Sequence, residues 1–394
     1  MTGTQQTLKK NKLAKSDQAT MLFRALINSS LIALVLAVVM LLLAIPGEAA
    51  RQVDNSRFFD STHQLGFALK PGEAENLRTI GAERLIKLGN NQLEVLNVSG
   101  GVEYRVVTDL KDPVVLPCGD KALVYDREGL YYCLLGRGGI IFEGRTEWPL
   151  QAAVFGHKGC LALLQNTPDS RGSLLVLDAS GQRLFRWTSR RSLNSGYPIN
   201  VTFGPGDKHI NISLLNADGT FIRPIIKRLS LSESNLGEEL LNLQPDLRRP
   251  LLLLTTAEDG SLWLCDGKRV YLYDDKTTQL RSLYEFDRVT SMTAYGRGVA
   301  VVAATAGTEL NLYCLTGDPA EQEQFITLGT EVGPPKVSGK YLTVLLDRAV
   351  VRVAAGDLSH PHQLELSAPA VDQGVSAAGA ILVVTTDYVL RPER

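Results

Sequence analysis

Gly204-Pro205-Gly206-Asp207-Lys208-His209-Ile210-Asn211-Ile212-Ser213-Leu214-Leu215-Asn216-Ala217-Asp218-Gly219 contains the architecture in miniature. A Gly/Asp turn leads into a short run rich in β-branched and aliphatic residues, and an Asx-Gly turn follows. Such runs, bounded by turn formers, read as strands. Asx and Gly take the backbone angles that tight hairpins require.

The phrase recurs along most of the chain. Strands reading ALVYD, CLALL, HINISLL, SLWLC, VAVVA, YLTVLL and ILVVT follow small-residue turns such as Gly119-Asp120-Lys121, Gly156-His157-Lys158-Gly159 and Ser338-Gly339-Lys340. Each is the second strand of a unit. Val98-Ser99-Gly100-Gly101, Asp178-Ala179-Ser180-Gly181 and Asn216-Ala217-Asp218-Gly219 are expected to join third strands to fourth. Units begin near residues 80, 113, 149, 197, 250, 288, 332 and 371, a mean interval of about 40. Four strands per unit at that period is the signature of a β-propeller. A blade cannot cover both its faces alone, so blades stack around an axis and ring closure protects the sheet edges.

The expected fold is therefore all-β: a propeller of seven or eight four-stranded blades over 79–394, preceded by one transmembrane α-helix. The last unit is short, and its fourth strand is expected from Arg57 to Leu69. Ser232 to Leu247 breaks the pattern and reads as a short helical insertion or an irregular outer strand, ended by Pro245.

The N-terminal 78 residues divide into a basic tail (1–20), an anchor (21–46) and a linker with the ring-closing strand (47–78). Within Ala25–Ile45 the only polar side chains are Asn28, Ser29 and Ser30. As a helix those 21 residues extend about 31 Å, enough for a hydrocarbon core of about 30 Å. Lys9, Lys10, Lys12, Lys15 and Arg24 precede the run, whereas only Arg51 and Arg57 follow closely. That asymmetry predicts a cytoplasmic N-terminus and an extracytoplasmic remainder. Gly47-Glu48-Ala49-Ala50 leaves signal cleavage as the alternative, and the long segment before the run favours an anchor.

Balanced charge, with 41 basic and 42 acidic residues, gives no electrostatic case for nucleic acid. Arg186-Trp187-Thr188-Ser189-Arg190-Arg191, the densest basic run, reads as a solvated loop edge. Five cysteines (118, 133, 160, 265 and 314) at irregular spacing are not a disulfide framework, and four sit in apolar runs where a thiol acts as a small hydrophobe.

Asp178-Ala179-Ser180-Gly181-Gln182-Arg183-Leu184-Phe185-Arg186-Trp187 resembles the blade motif of quinoprotein-like (PQQ-like) propellers, where Asp, Gly and Trp recur at similar spacing. The Gly204–Leu215 phrase followed by NADGTF is similar to WD40-like blades. The layout of basic tail, anchor and degenerate propeller resembles membrane-anchored propeller proteins of Gram-positive, clostridia-like bacteria. These resemblances imply a fold and a location, the plasma membrane of a bacterium, and no activity. Quinone-dependent dehydrogenases of this shape hold their cofactor with Ca²⁺, often on adjacent paired cysteines. This chain has no neighbouring cysteines, so no cofactor is expected.

Metal is not expected either: of five histidines only His360 and His362 are close in sequence, with no nearby cysteine. Nucleophile-elbow, phosphate-loop and dinucleotide fingerprints are absent. Asp259, Asp274 and Asp275 read as turn residues. The expected role is a non-catalytic scaffold for an extracytoplasmic protein or envelope polymer, acting through rim loops. Arg145, Trp148, Trp187 and Tyr197 are the candidate binding residues, because Trp and Arg are frequent interface anchors. For Trp187 and Trp263 a blade-packing role competes. No catalytic residue is assigned. The rivals are a sensor ectodomain and an envelope polysaccharide lyase or hydrolase whose channel acids, such as Asp120, Asp207 and Asp259, would act together.

Overall fold

The computed structural model describes residues 64–392 other than 90, 193, 276 and 319–323. Among them are eight antiparallel four-stranded sheets, the blades of a propeller. Blades 1 to 7 span 77–107, 113–145, 150–188, 197–243, 253–285, 288–329 and 336–365. Blade 8 combines 370–392 with Gln64–Ala68. Strands within a blade are lettered A to D in sheet order, and the A strands of successive blades lie side by side around the ring.

Side-chain alternation makes the blades stack. Gly298–Ala304, the B strand of blade 6, is buried throughout. Val299, Val301 and Ala303 join a cluster with Trp263 and Val270 of blade 5. Ala300, Val302 and Ala304 join one with Leu342 and Val344 of blade 7. A strand between two neighbours thus needs apolar residues on both faces, which explains continuous runs such as VAVVA. Eight such clusters occur, one at each junction between adjacent blades. Trp263 is fully buried.

The ring closes between blades 8 and 1. Gln64–Ala68 pairs antiparallel with Tyr388–Pro392 and supplies the outer strand of blade 8. It lies within the segment the short last unit pointed to, and it moves the start of the propeller from 79 to Gln64. Leu77 and Leu85 of blade 1 pack with Leu382 and Val384 of blade 8. Asp372 accepts hydrogen bonds from the Thr79 N–H (2.7 Å) and hydroxyl (2.9 Å), and Lys336 of blade 7 donates to it at 2.9 Å. Gly374 permits this approach: a Cβ there would lie 1.7 Å from the Gly81 carbonyl oxygen.

All seven strands read as second strands occupy B positions. One turn is displaced from its expected place. Asn216-Ala217-Asp218-Gly219 joins His209–Asn216 to Arg223–Ser230, the B and C strands of blade 4. Asx-Gly chemistry marks a tight reversal and does not say which one. The C–D connection of that blade instead contains a 3-10 turn at Glu233–Asn235, and Glu239–Leu243 is the outer strand. Ser232 to Leu247 is therefore an irregular outer strand with its lead-in.

No helix among the described residues is long and apolar enough to cross a membrane. The tail (1–20), the apolar run (25–45) and the first part of the linker lie outside the described residues.

Candidate functional site

The propeller presents two sets of loops. One set comprises the A–B and C–D turns; the other comprises the B–C turns and the links between blades. The first carries the acids proposed for a channel enzyme, and each has a structural partner. Asp207 is buried and accepts from the backbone N–H groups of His157 (2.6 Å) and Lys158 (2.8 Å), tying the A–B turn of blade 4 to that of blade 3. Gly156 leaves room for it, since a Cβ there would sit 2.3 Å from the carboxylate. Asp120 pairs with Arg137 at 3.4 Å, and Asp259 accepts from the Ser261 N–H of its own turn at 2.9 Å. The three acids do not form a common site.

Other polar groups on this side form junctions between blades. Arg84 is buried and donates to the carbonyls of Asp120 and Gly136 of blade 2. Arg228 is also buried. It donates from Nε to Asn211 Oδ1 (2.8 Å) and from Nη1 to Asp275 Oδ1 (2.8 Å), while Asn211 Nδ2 donates to Thr256 Oγ1 (3.1 Å). His209, on the same strand as Asn211, is pushed down to about 4 by burial and by the Arg228 charge. It is therefore neutral at physiological pH.

The opposite side over blades 2 to 4 holds three of the candidate binding residues in exposed or half-exposed positions. Arg145 ends the D strand of blade 2 with its guanidinium 6.0 Å from the Tyr131 ring. It lines a cleft of about 500 Å³ with Val107, Asp109 and Glu143. Trp148 lies in the link between blades 2 and 3 and lines a second cleft, of about 280 Å³, with Asp169, Arg186, Arg190 and Arg191. The basic run read as a loop edge thus forms one wall of that cleft. Arg186 pairs with Glu147 at 2.5 Å, and Arg191 donates to the Pro168 carbonyl at 3.1 Å. Tyr197 opens blade 4 and is 51% exposed. Trp187 is half-buried against the cluster between blades 3 and 4, so its indole serves blade packing, as does Trp263 between blades 5 and 6.

Arg171, which sequence reasoning missed, organises these loops. It leaves the B–C turn of blade 3, lies 5.7 Å from the Tyr197 ring, donates to the Ser195 carbonyl at 2.9 Å and pairs with Asp218 in the B–C turn of blade 4. One buried guanidinium therefore ties three loops together. Ser189 and Ser195, both buried, bond at 2.6 Å and close the intervening link. Phe221, Ile222 and Leu252 were also missed. They are 51%, 41% and 52% exposed, and Arg248 lies 4.4 Å from the Phe221 ring. Nothing local marked them: Phe221 and Ile222 lead directly into a strand, and Leu252 lies in a run of four leucines.

Among the described residues no group of three or more His, Cys, Asp or Glu side chains could hold a metal. His360 bonds Ser359 at 2.6 Å on an exposed strand. All five cysteines are free. Burial pushes Cys133 and Cys160 up to about 11 and Cys265 to about 12, which leaves these thiols protonated and unreactive.

Residues 72–233, blades 1 to 3 and most of blade 4, match a family described as "Family of unknown function (DUF5711)". No curated protein matches the sequence. Among solved structures, BamB from Moraxella catarrhalis is similar at a TM-score of 0.51 and 12% identity, over 84% of this chain and 99% of that one. KlAtg21, solved in complex with the coiled-coil of AgAtg16, is similar at 0.51 and 12% identity, over 76% and 98%. A eukaryotic initiation factor is similar at 0.50 and 11% identity, over 83% of each chain. At these identities the likeness is one of fold alone.

Proposed function

We propose that this chain is a single-pass membrane protein whose extracytoplasmic propeller is a non-catalytic scaffold. In this reading residues 25–45 anchor it, the tail is cytoplasmic, and the B–C side of blades 2 to 4 receives an extracytoplasmic protein or envelope polymer. Arg145, Trp148 and Tyr197 are the contact residues, and Trp187 supports them from below.

The observation that carries the reading is the difference in how polar groups are used. Acids nominated for catalysis are bound within turns, while arginines and aromatics on the other side stay exposed around two clefts. Exposed Trp, Tyr and Arg are the side chains that most often anchor interfaces. The fold neighbour KlAtg21, captured with a coiled-coil, is a propeller engaged by a protein segment. Topology rests on the apolar run and the basic residues before it.

Two measurements on the full-length chain test this. Protease added to intact cells should digest the propeller, and purified protein should leave envelope polysaccharides at full length. Protection until the cells are permeabilised would reverse the topology. Depolymerisation of a sugar polymer would replace the scaffold with an enzyme.

A further inference from the structure

Four of the twelve large hydrophobic side chains that stand exposed among the described residues, Tyr197, Phe221, Ile222 and Leu252, belong to the first strand of blade 4, its B–C turn and its link to blade 5. Contacts hold these segments in register. Arg171 joins the Tyr197 link to the Phe221 turn through Asp218, and Asn200 donates to the Leu252 carbonyl at 3.2 Å. The surface is therefore preorganised, which lowers the ordering cost of binding.

Charge defines what fits there. Arg223, Arg248 and Arg249 are exposed around the four apolar residues, and none pairs with a carboxylate among the described residues. Arg248 lies over the Phe221 ring. Asp218 is already occupied by Arg171, which leaves Asp246 as the single unpaired acid in these loops. An apolar centre ringed by free guanidinium groups complements a ligand that is apolar and acidic together. A polysaccharide offers anionic groups but little apolar side-chain area for four residues each at least 41% exposed.

We propose that this surface docks a peptide segment of a protein partner, in which one or two large apolar side chains are flanked by Asp or Glu. The peptide's apolar groups cover Tyr197, Phe221, Ile222 and Leu252. Its carboxylates pair with Arg223, Arg248 and Arg249. The proposal rests on the scaffold reading and narrows it from a protein or polymer to an acidic, apolar peptide.

Phage-displayed random dodecapeptides selected on the full-length chain in detergent test it, with counter-selection on the Tyr197→Ser/Phe221→Ser variant. Selected peptides should carry Asp or Glu beside Phe, Leu or Trp and bind the double variant at least about tenfold more weakly. Arg248→Glu should weaken them to a similar degree, and added salt should weaken them progressively. Ile140→Ser/Ile141→Ser, on the D strand of blade 2, should leave binding unchanged. Because the substituted side chains are exposed, unchanged thermal unfolding of each variant verifies that it folds. Failure to enrich any peptide, enrichment of basic or uncharged ones, or equal binding to the double variant would overturn the proposal. So would polygalacturonate binding in place of peptides with the same variant sensitivity. A protein partner cross-linked to Trp148 or Arg145 alone would remove this inference and leave the scaffold reading in place.

Discussion

The two sides of the propeller use the same residue types for opposite ends. On the A–B side, Asp207 bridges two turns, Arg84 reaches across to blade 2, and Arg228 is buried between Asn211 and Asp275. On the B–C side, Arg190, Arg223 and Arg249 are exposed, and only Arg171 is buried beneath them as a tie. A charge enclosed by its own molecule sets blade orientation, whereas an exposed charge without a partner remains available to another molecule. The contrast is what supports the proposed contact surface on the B–C side.

Substitutions on the first side should cost stability. Arg228→Ala leaves the Asn211 Oδ1 acceptor buried without its donor and removes the packed stem. A loss of about 3 kcal/mol is expected in urea unfolding. The Asn211→Leu/Arg228→Met pair should recover most of it, because replacing a whole buried polar group is far milder than breaking it. Asp207→Ala deprives two backbone N–H groups of their acceptor and should cost about 2 kcal/mol. Asp207→Asn should recover part of this loss, since Asn keeps one acceptor and tolerates the positive φ of 55° at that position.

His209 gives the same side a pH dependence. Its folded pKa, about 4, lies below the ordinary histidine value of 6.5, so between them the unfolded chain binds the proton first. The contribution is complete above pH 6.5 and is lost as pH falls toward 4, with a slope of at most about 1.4 kcal/mol per unit. Asp275 opposes the shift, while Arg228 and Lys208 reinforce it. Between those pH values His209→Gln should therefore lose less stability than the parent. On the other side, Arg190→Ala and Arg249→Ala should change stability by less than about 0.5 kcal/mol. A cost above 2 kcal/mol at either arginine would dissolve the contrast.

The repeats were legible because an inner blade strand must be apolar on both faces, and runs such as VAVVA and CLALL declare that locally. The N-terminal closing strand was legible from the short last unit. The position of the Asn216–Gly219 turn within its blade was not, because the same residues serve any tight reversal. Nor did composition choose between helix and strand for Ser232 to Leu247, where leucine spacing fits both. Trp148 and Tyr197 could be nominated as aromatics in turns. Arg171 could not, because its role depends on Asp218, a residue 47 positions away that only the packing of two blades brings near. Phe221 and Ile222 read locally as the start of a strand, although they stand in the loop before it.

The central claim is that one side of the ring makes the contact. A photoreactive residue placed in the full-length protein in living cells, in turn at Trp148, Tyr197, Asp120 and Arg297, tests it directly. Discrete cross-linked products at the first two positions and none at the last two are expected. Products confined to Asp120 and Arg297, in the A–B turns, would contradict the account.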